Sequence, residues 1–141
     1  MERDIVLADL QRHVAASLAV LARGVTYLEG DREAFLAAQP ALRVQMGEAL
    51  GAYQAFKHGR VFDPGIASGN DERATAAREM KISCIQAGET FRGHMGDWPR
   101  ERIENDWASY KVAARLTANI LRRHIQNESH DVAALIERYG S

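Results

Sequence analysis

The chain has 141 residues, of which 46% are hydrophobic and 26% charged, and its formal net charge is -1. That length fits one domain with a sizeable core, and the balanced charge excludes the basic surplus that would hold a nucleic-acid backbone. Cys84 is the only cysteine, which excludes an internal disulfide and suits a reducing compartment. The opening Met1-Glu2-Arg3-Asp4 does not read as a signal peptide, and no run reaches the ~18 apolar residues of a bilayer span. A cytoplasmic location, away from membranes and nucleic acid, is the default expectation.

The pattern is helical almost throughout. The first helix is predicted from Asp4 to Leu28, where Leu7, Leu10, Val14, Ser17, Leu21, Val25 and Leu28 step by three and four along one face. Gly30-Asp31 turns the chain, with Asp31 as N-cap of the next helix. That helix meets Pro40, which either kinks it or opens a new one. Leu42, Met46, Ala49, Tyr53 and Phe56 then carry the apolar face to about Phe62, and Asp63-Pro64-Gly65 ends it. Residues Pro64 to Asn70 read as the one clear loop.

A third helix starts near Asn70-Asp71-Glu72, carries Ala77, Met80, Cys84, Ala87 and Phe91 as its stripe, and closes at Gly96. The fourth opens at Asp97-Trp98-Pro99 with Asp97 as cap. It runs either unbroken to Arg138, roughly 60 Å at 1.5 Å per residue, or breaks near Asn127 to Ser129. Short connections between four long helices predict an all-α, up-down-up-down antiparallel bundle in a single domain over 1–141, with a long last helix.

Chemistry is hinted at in one stretch, His124-Ile125-Gln126-Asn127-Glu128. A spacing of four puts the imidazole and the carboxylate on one helix face. Trp107, Tyr110, Ala114, Thr117 and Leu121 lead into that face, and Val132, Leu135 and Tyr139 continue it. Polar groups at core positions must be paired or bound to something. An imidazole nitrogen and a carboxylate oxygen suit iron, zinc or manganese, and an internal hydrogen bond is the alternative. His13 lies beside the Leu10–Val14 face, as a ligand from another helix or as a structural histidine. His58 stands five residues before Asp63 and could share a metal with it. Alternatively it serves the helix C-terminus with Lys57 and Arg60. His94 sits at a helix end, His130 points to solvent, and Cys84 reads as a small apolar core residue. No Ser-His-Asp set, phosphate loop or paired cysteines support catalysis.

Leu10-Gln11-Arg12-His13, the run Leu121 to Glu128 and the ending from Phe56 to Pro64 together resemble the hemerythrin-like (HHE cation-binding) family. The resemblance implies a four-helix bundle around iron, with His13, His58, His124 and Glu128 facing one another as ligands. The chain departs from the family pattern on the second helix, where Gln54 and His58 fall on the expected histidine and glutamate. It departs again on the third, where Met80, Lys81, Ile82 and Cys84 occupy the histidine region. It therefore resembles a degenerate member, and a single iron or none fits the ligand count better than a di-iron centre.

Two functions follow as expectations. One is a small hemerythrin-like bundle that binds a metal or small ligand in a sensing or regulatory role. The other is a metal-free interaction module, acting as a homodimer or adaptor through Val132, Leu135, Ile136 and Tyr139 at the far end of the last helix.

Overall fold

The computed structural model describes residues 1–140, and among them it holds helices and no strand. Helix α1 spans Glu2–Glu29, and α2 spans Arg32–Lys57. One π-helical turn, His58–Phe62, continues into the short α3, Asp63–Ile66. Helix α4 is Asp71–Asp97, α5 is Arg100–Asn105 and α6 is Trp107–Tyr139.

Asp31 and Asn70 cap α2 and α4 as the sequence indicates, accepting from the Ala34 and Arg73 amides at 2.7 and 3.0 Å. Three boundaries differ from expectation. Asp97, expected to cap the last helix, is instead the final residue of α4, and Pro99 precedes α5. Asp63-Pro64-Gly65 does not stop the helical path but forms α3, with Pro64 in a first turn that needs no donor. The last helix breaks at Asp106, which caps α6, and not near Asn127. Helix α6 is still the longest, at 33 residues.

Pro40 lies inside an unbroken α2. Its missing N–H leaves the Leu36 carbonyl without a helical donor. Arg100 of α5 fills that gap, donating to the Leu36 carbonyl and to Oε1 of the buried Gln39, each at 3.0 Å. Helix α5 thus acts as a patch on α2, and Ile103 and Trp98 anchor it against Phe35, Leu36, Tyr110 and Ala114.

Helix α1 packs along both α2 and α6, and α6 packs along α4, whereas α2 and α4 barely touch. Gly24 permits the close approach of α1 to α2, because the Met46 methyl lies 2.8 Å from where a Cβ would stand. The second and larger cluster of core residues joins Val6, Leu10, Tyr53, Phe62, Ala77, Cys84, Leu121 and Ile125. It also takes in Val132, Leu135 and Ile136, all buried within the chain, with Tyr139 partly buried against them. Contrary to the sequence expectation, one helix, α1, is long and apolar enough by length and composition to cross a membrane. In this fold its Val6, Leu10, Val20, Leu21 and Leu28 are core residues.

Replacing Arg100 tests the patch. Arg100→Met is expected to cost about 1–2 kcal/mol in urea unfolding, since it strands a buried amide and a carbonyl. Pro40→Ala in the same background should recover part of that loss by restoring the N–H. An equal cost with and without Pro40→Ala would show that the Leu36 carbonyl gains nothing from Arg100.

Candidate functional site

The His124–Glu128 pair forms as the spacing requires, with Nε2 3.2 Å from Oε2. The other carboxylate oxygen is taken by a residue the sequence reading assigned elsewhere. Lys57, at the end of α2, places Nζ 2.5 Å from Glu128 Oε1. The two side chains are only 5% and 4% exposed. The ammonium also lies 3.8 Å from the centroid of the Tyr53 ring, one turn back on α2. Its helical register is the missed signal: Lys57 follows Tyr53 by four and so shares its inward face.

Burial pushes the Glu128 carboxyl up, but the His124 hydrogen bond and the Lys57 ammonium outweigh it and hold the group below its ordinary range. Glu128 is therefore a carboxylate at neutral pH, and the pair is ionic. Among the described residues the Tyr53 hydroxyl has no hydrogen-bond partner. Burial and the nearby Glu128 charge keep it protonated. Burial likewise raises the Cys84 thiol, so this cysteine is a neutral wall of the cluster and not a thiolate.

The remaining expected ligands do not join the pair. The His13 ring packs on Phe56 and Tyr53, with centroids 5.0 and 6.4 Å away. His58 stands edge-on to Phe62 at 5.3 Å, and burial, then the Lys81 charge, lowers its pKa. Asp63, its expected companion, is instead ion-paired with Lys81 at 2.8 Å. Among the described residues no three His, Cys, Asp or Glu side chains come together as a metal requires. His13, His58, His124 and Glu128 therefore do not assemble as the expected ligand set. The residues present do not fit an iron centre, because the inward carboxylate is already neutralised by the chain's own ammonium.

The space between the helices lies elsewhere. An apolar cavity of about 70 Å³ is reached by all four long helices. Leu21, Leu28, Phe35, Met95, Trp98 and Ala114 are among its walls, and Arg43, His94 and Tyr110 are its conspicuous polar groups. His94 stacks on Tyr110 at 5.8 Å, and burial lowers its pKa, so the imidazole is neutral. Burial pushes the Tyr110 phenol up to about 12. Met46, Phe91 and Leu121 also belong to a groove of about 230 Å³ along the seam where α2 and α4 fail to meet. The groove runs past Leu50, Gly51 and Gly88 to Tyr53, Lys57, Cys84 and His124. His124, 22% exposed, also borders a polar cleft of about 360 Å³ between α4 and α6 with Glu79, Asn127 and Asp131.

Comparison with protein-family models, with curated proteins and with solved structures gave no significant match.

Lys57→Met should cost about 3–5 kcal/mol, because it leaves a buried carboxylate without its counter-charge. The double variant Lys57→Met/Glu128→Leu should recover most of that loss, since two apolar residues of similar volume replace the pair. Urea unfolding of the wild type, both single variants and the double variant measures the coupling. Strictly additive costs would mean that the two charges do not interact.

Proposed function

We propose that the four long helices form an up-down-up-down bundle of hemerythrin-like order with one open side, and that it binds a small, largely apolar molecule there in a sensing or regulatory role. The bundle reading is supported by the packing of α1 on α2 and α6 and of α6 on α4. The binding reading rests on one observation above all. An apolar cavity at the centre of the helices continues into a groove at the seam where α2 and α4 stand apart. A pocket that is mostly hydrocarbon, with a few polar groups at fixed places, is the usual form of a small-molecule site. Arg43, His94 and Tyr110 supply those groups here.

A ligand lodged in the seam would touch α2 and α4 at once and bring together two helices that otherwise scarcely meet. Its binding energy would favour the closed arrangement, which is how occupancy becomes a signal. Catalysis is not part of this reading, because the cavity walls hold no hydrogen-bonded nucleophile and base. Iron is not part of it either, for the reasons of fit given above.

Gly51 offers a clean test. A Cβ at that position would meet nothing within 4 Å. Gly51→Leu should therefore stabilise α2 by roughly 1 kcal/mol through helix propensity while filling the groove. Decanol is the probe, followed by the fluorescence of Trp98 and Trp107 and by thermal shift. The wild type should bind it with a rise in Tm, and Gly51→Leu should unfold at higher temperature yet bind at least about tenfold more weakly. Decanol that leaves the wild type's Tm and fluorescence unchanged would remove the proposal.

A second reading, a metal-free interaction module, draws on a different face. Val112, Leu116 and Ile120 are exposed at successive turns of α6 and form an apolar strip. If that strip joins two copies, light scattering should give a dimer that Leu116→Glu converts to a monomer. A wild-type monomer at high concentration would dispose of the homodimer.

A further inference from the structure

We infer that the groove takes an anionic amphiphile of the free-carboxylate type, its acyl tail lying along the α2–α4 seam and its head held by Arg43 and Arg92. This rests on the ligand-binding reading above and adds the chemical class of the ligand.

The shape of the groove argues for a slender chain. On α2 its wall is Met46, Gly47, Leu50 and Gly51, and on α4 it is Ala87, Gly88 and Phe91. Leu121 and Ile125 of α6 close the floor. Neither Gly47 nor Gly51 has any atom within 4 Å of a would-be Cβ. Two successive turns of α2 therefore present bare backbone to the slot, which widens a narrow seam without adding polar side chains. From Met46 to Lys57 the seam is about 16 Å long at 1.5 Å per residue. A linear hydrocarbon fills such a slot along its length, whereas a compact ring would leave most of it empty.

The distribution of charge argues for an acid head and fixes its end. At the inner end the only ammonium, Lys57, is already matched by Glu128. At the other end two guanidinium groups, both on exposed residues, have no carboxylate beside them. Arg43 borders the cavity three residues before Met46, and Arg92 borders the groove next to Phe91. Both therefore belong to the stretch where cavity and groove share walls. Among the described residues neither makes an ion pair or a hydrogen bond, and Arg43 and Arg92 stand on opposite sides of the seam. The Arg92 guanidinium is folded back over Gly88, with a nitrogen 3.1 Å from where a Cβ would be. Glycine at position 88 thus lets the cation lie along the slot. A carboxylate is the natural partner of a guanidinium, accepting two parallel N–H bonds. The neutral His94 and the protonated Tyr110 near the same place add donors without adding competing negative charge.

The experiment compares decanoate with decanol at pH 7.5 and low salt, on the wild type and on Arg43→Gln/Arg92→Gln. Tryptophan fluorescence and calorimetric titration report affinity, and far-UV circular dichroism reports folding. Decanoate is expected to bind the wild type about tenfold or more tightly than decanol, as charge-assisted bonds to a head group allow. The double variant should lose that preference while its decanol affinity stays the same. Equal affinity of the wild type for the two probes would overturn the head-group assignment and leave the groove as an apolar site. Decanol and decanoate both failing to bind the folded wild type would overturn the assignment and the ligand-binding reading together.

Discussion

The buried contact between Lys57 and Glu128 is the constraint around which the rest of the molecule is arranged. Taking two charges out of water costs several kcal/mol apiece, and their attraction offsets this only when the remaining bonding capacity is also met. Here each group has a second contact. The ammonium rests on the Tyr53 ring as well as on the carboxylate, and the second carboxylate oxygen goes to His124. The end of α2 and the second half of α6 are thereby held in one relative position that hydrocarbon packing alone would leave adjustable. The same contact decides the inorganic chemistry. A carboxylate that faces inward next to an imidazole looks like half of a metal site, but its positive partner is already present as part of the chain.

With α2 fixed to α6 at that point and to α1 along its length, α4 is the long helix with the fewest buried residues. Its buried residues are few and lie in its first half, at Ala74, Ala77 and Cys84. The second half, from Ala87 to Met95, is only partly covered and borders the space opposite α2. Trp98, directly after the helix, is buried against Tyr110, and His94 stacks on the same ring, so the partly covered stretch lies between two packed ends. The electrostatic anchor and the open seam are in this sense two sides of one arrangement.

Much of the helical framework was legible in the residues, because local chemistry carries it. Asp31 and Asn70 announced their helices through side-chain oxygens placed to accept from free amides, and the three-and-four spacing of Leu10, Leu21 and Leu28 named the inner face of α1. The break at Asp106 was missed although Asp106 and the Ser109 amide form an ordinary cap, because Trp107 and Tyr110 kept the apolar rhythm running across it. At the site, the His124–Glu128 pair followed from a single-helix spacing, whereas its partner did not. A lysine near a helix C-terminus usually serves the dipole, and only its register with Tyr53 marks Lys57 as inward-facing. The groove was not legible at all. It depends on the distance between two helices, and Gly47, Gly51 and Gly88 taken singly look like weak points in a helix.

The π turn at His58–Phe62 has a consequence for how the chain can change length. A turn closed by bonds from residue i to i+5 holds one residue more than an α-helical turn. Deleting a single residue there would let α2 run on in ordinary geometry, and the segments on either side would keep their phase, because the surplus is taken up within the turn. Val61 and Phe62, the buried residues of this turn, sit where the surplus is taken up. The turn is therefore the part of the second helical path best able to accept a gap of one residue, whereas a gap in the regular turns of α2 would rotate everything beyond it by about 100°.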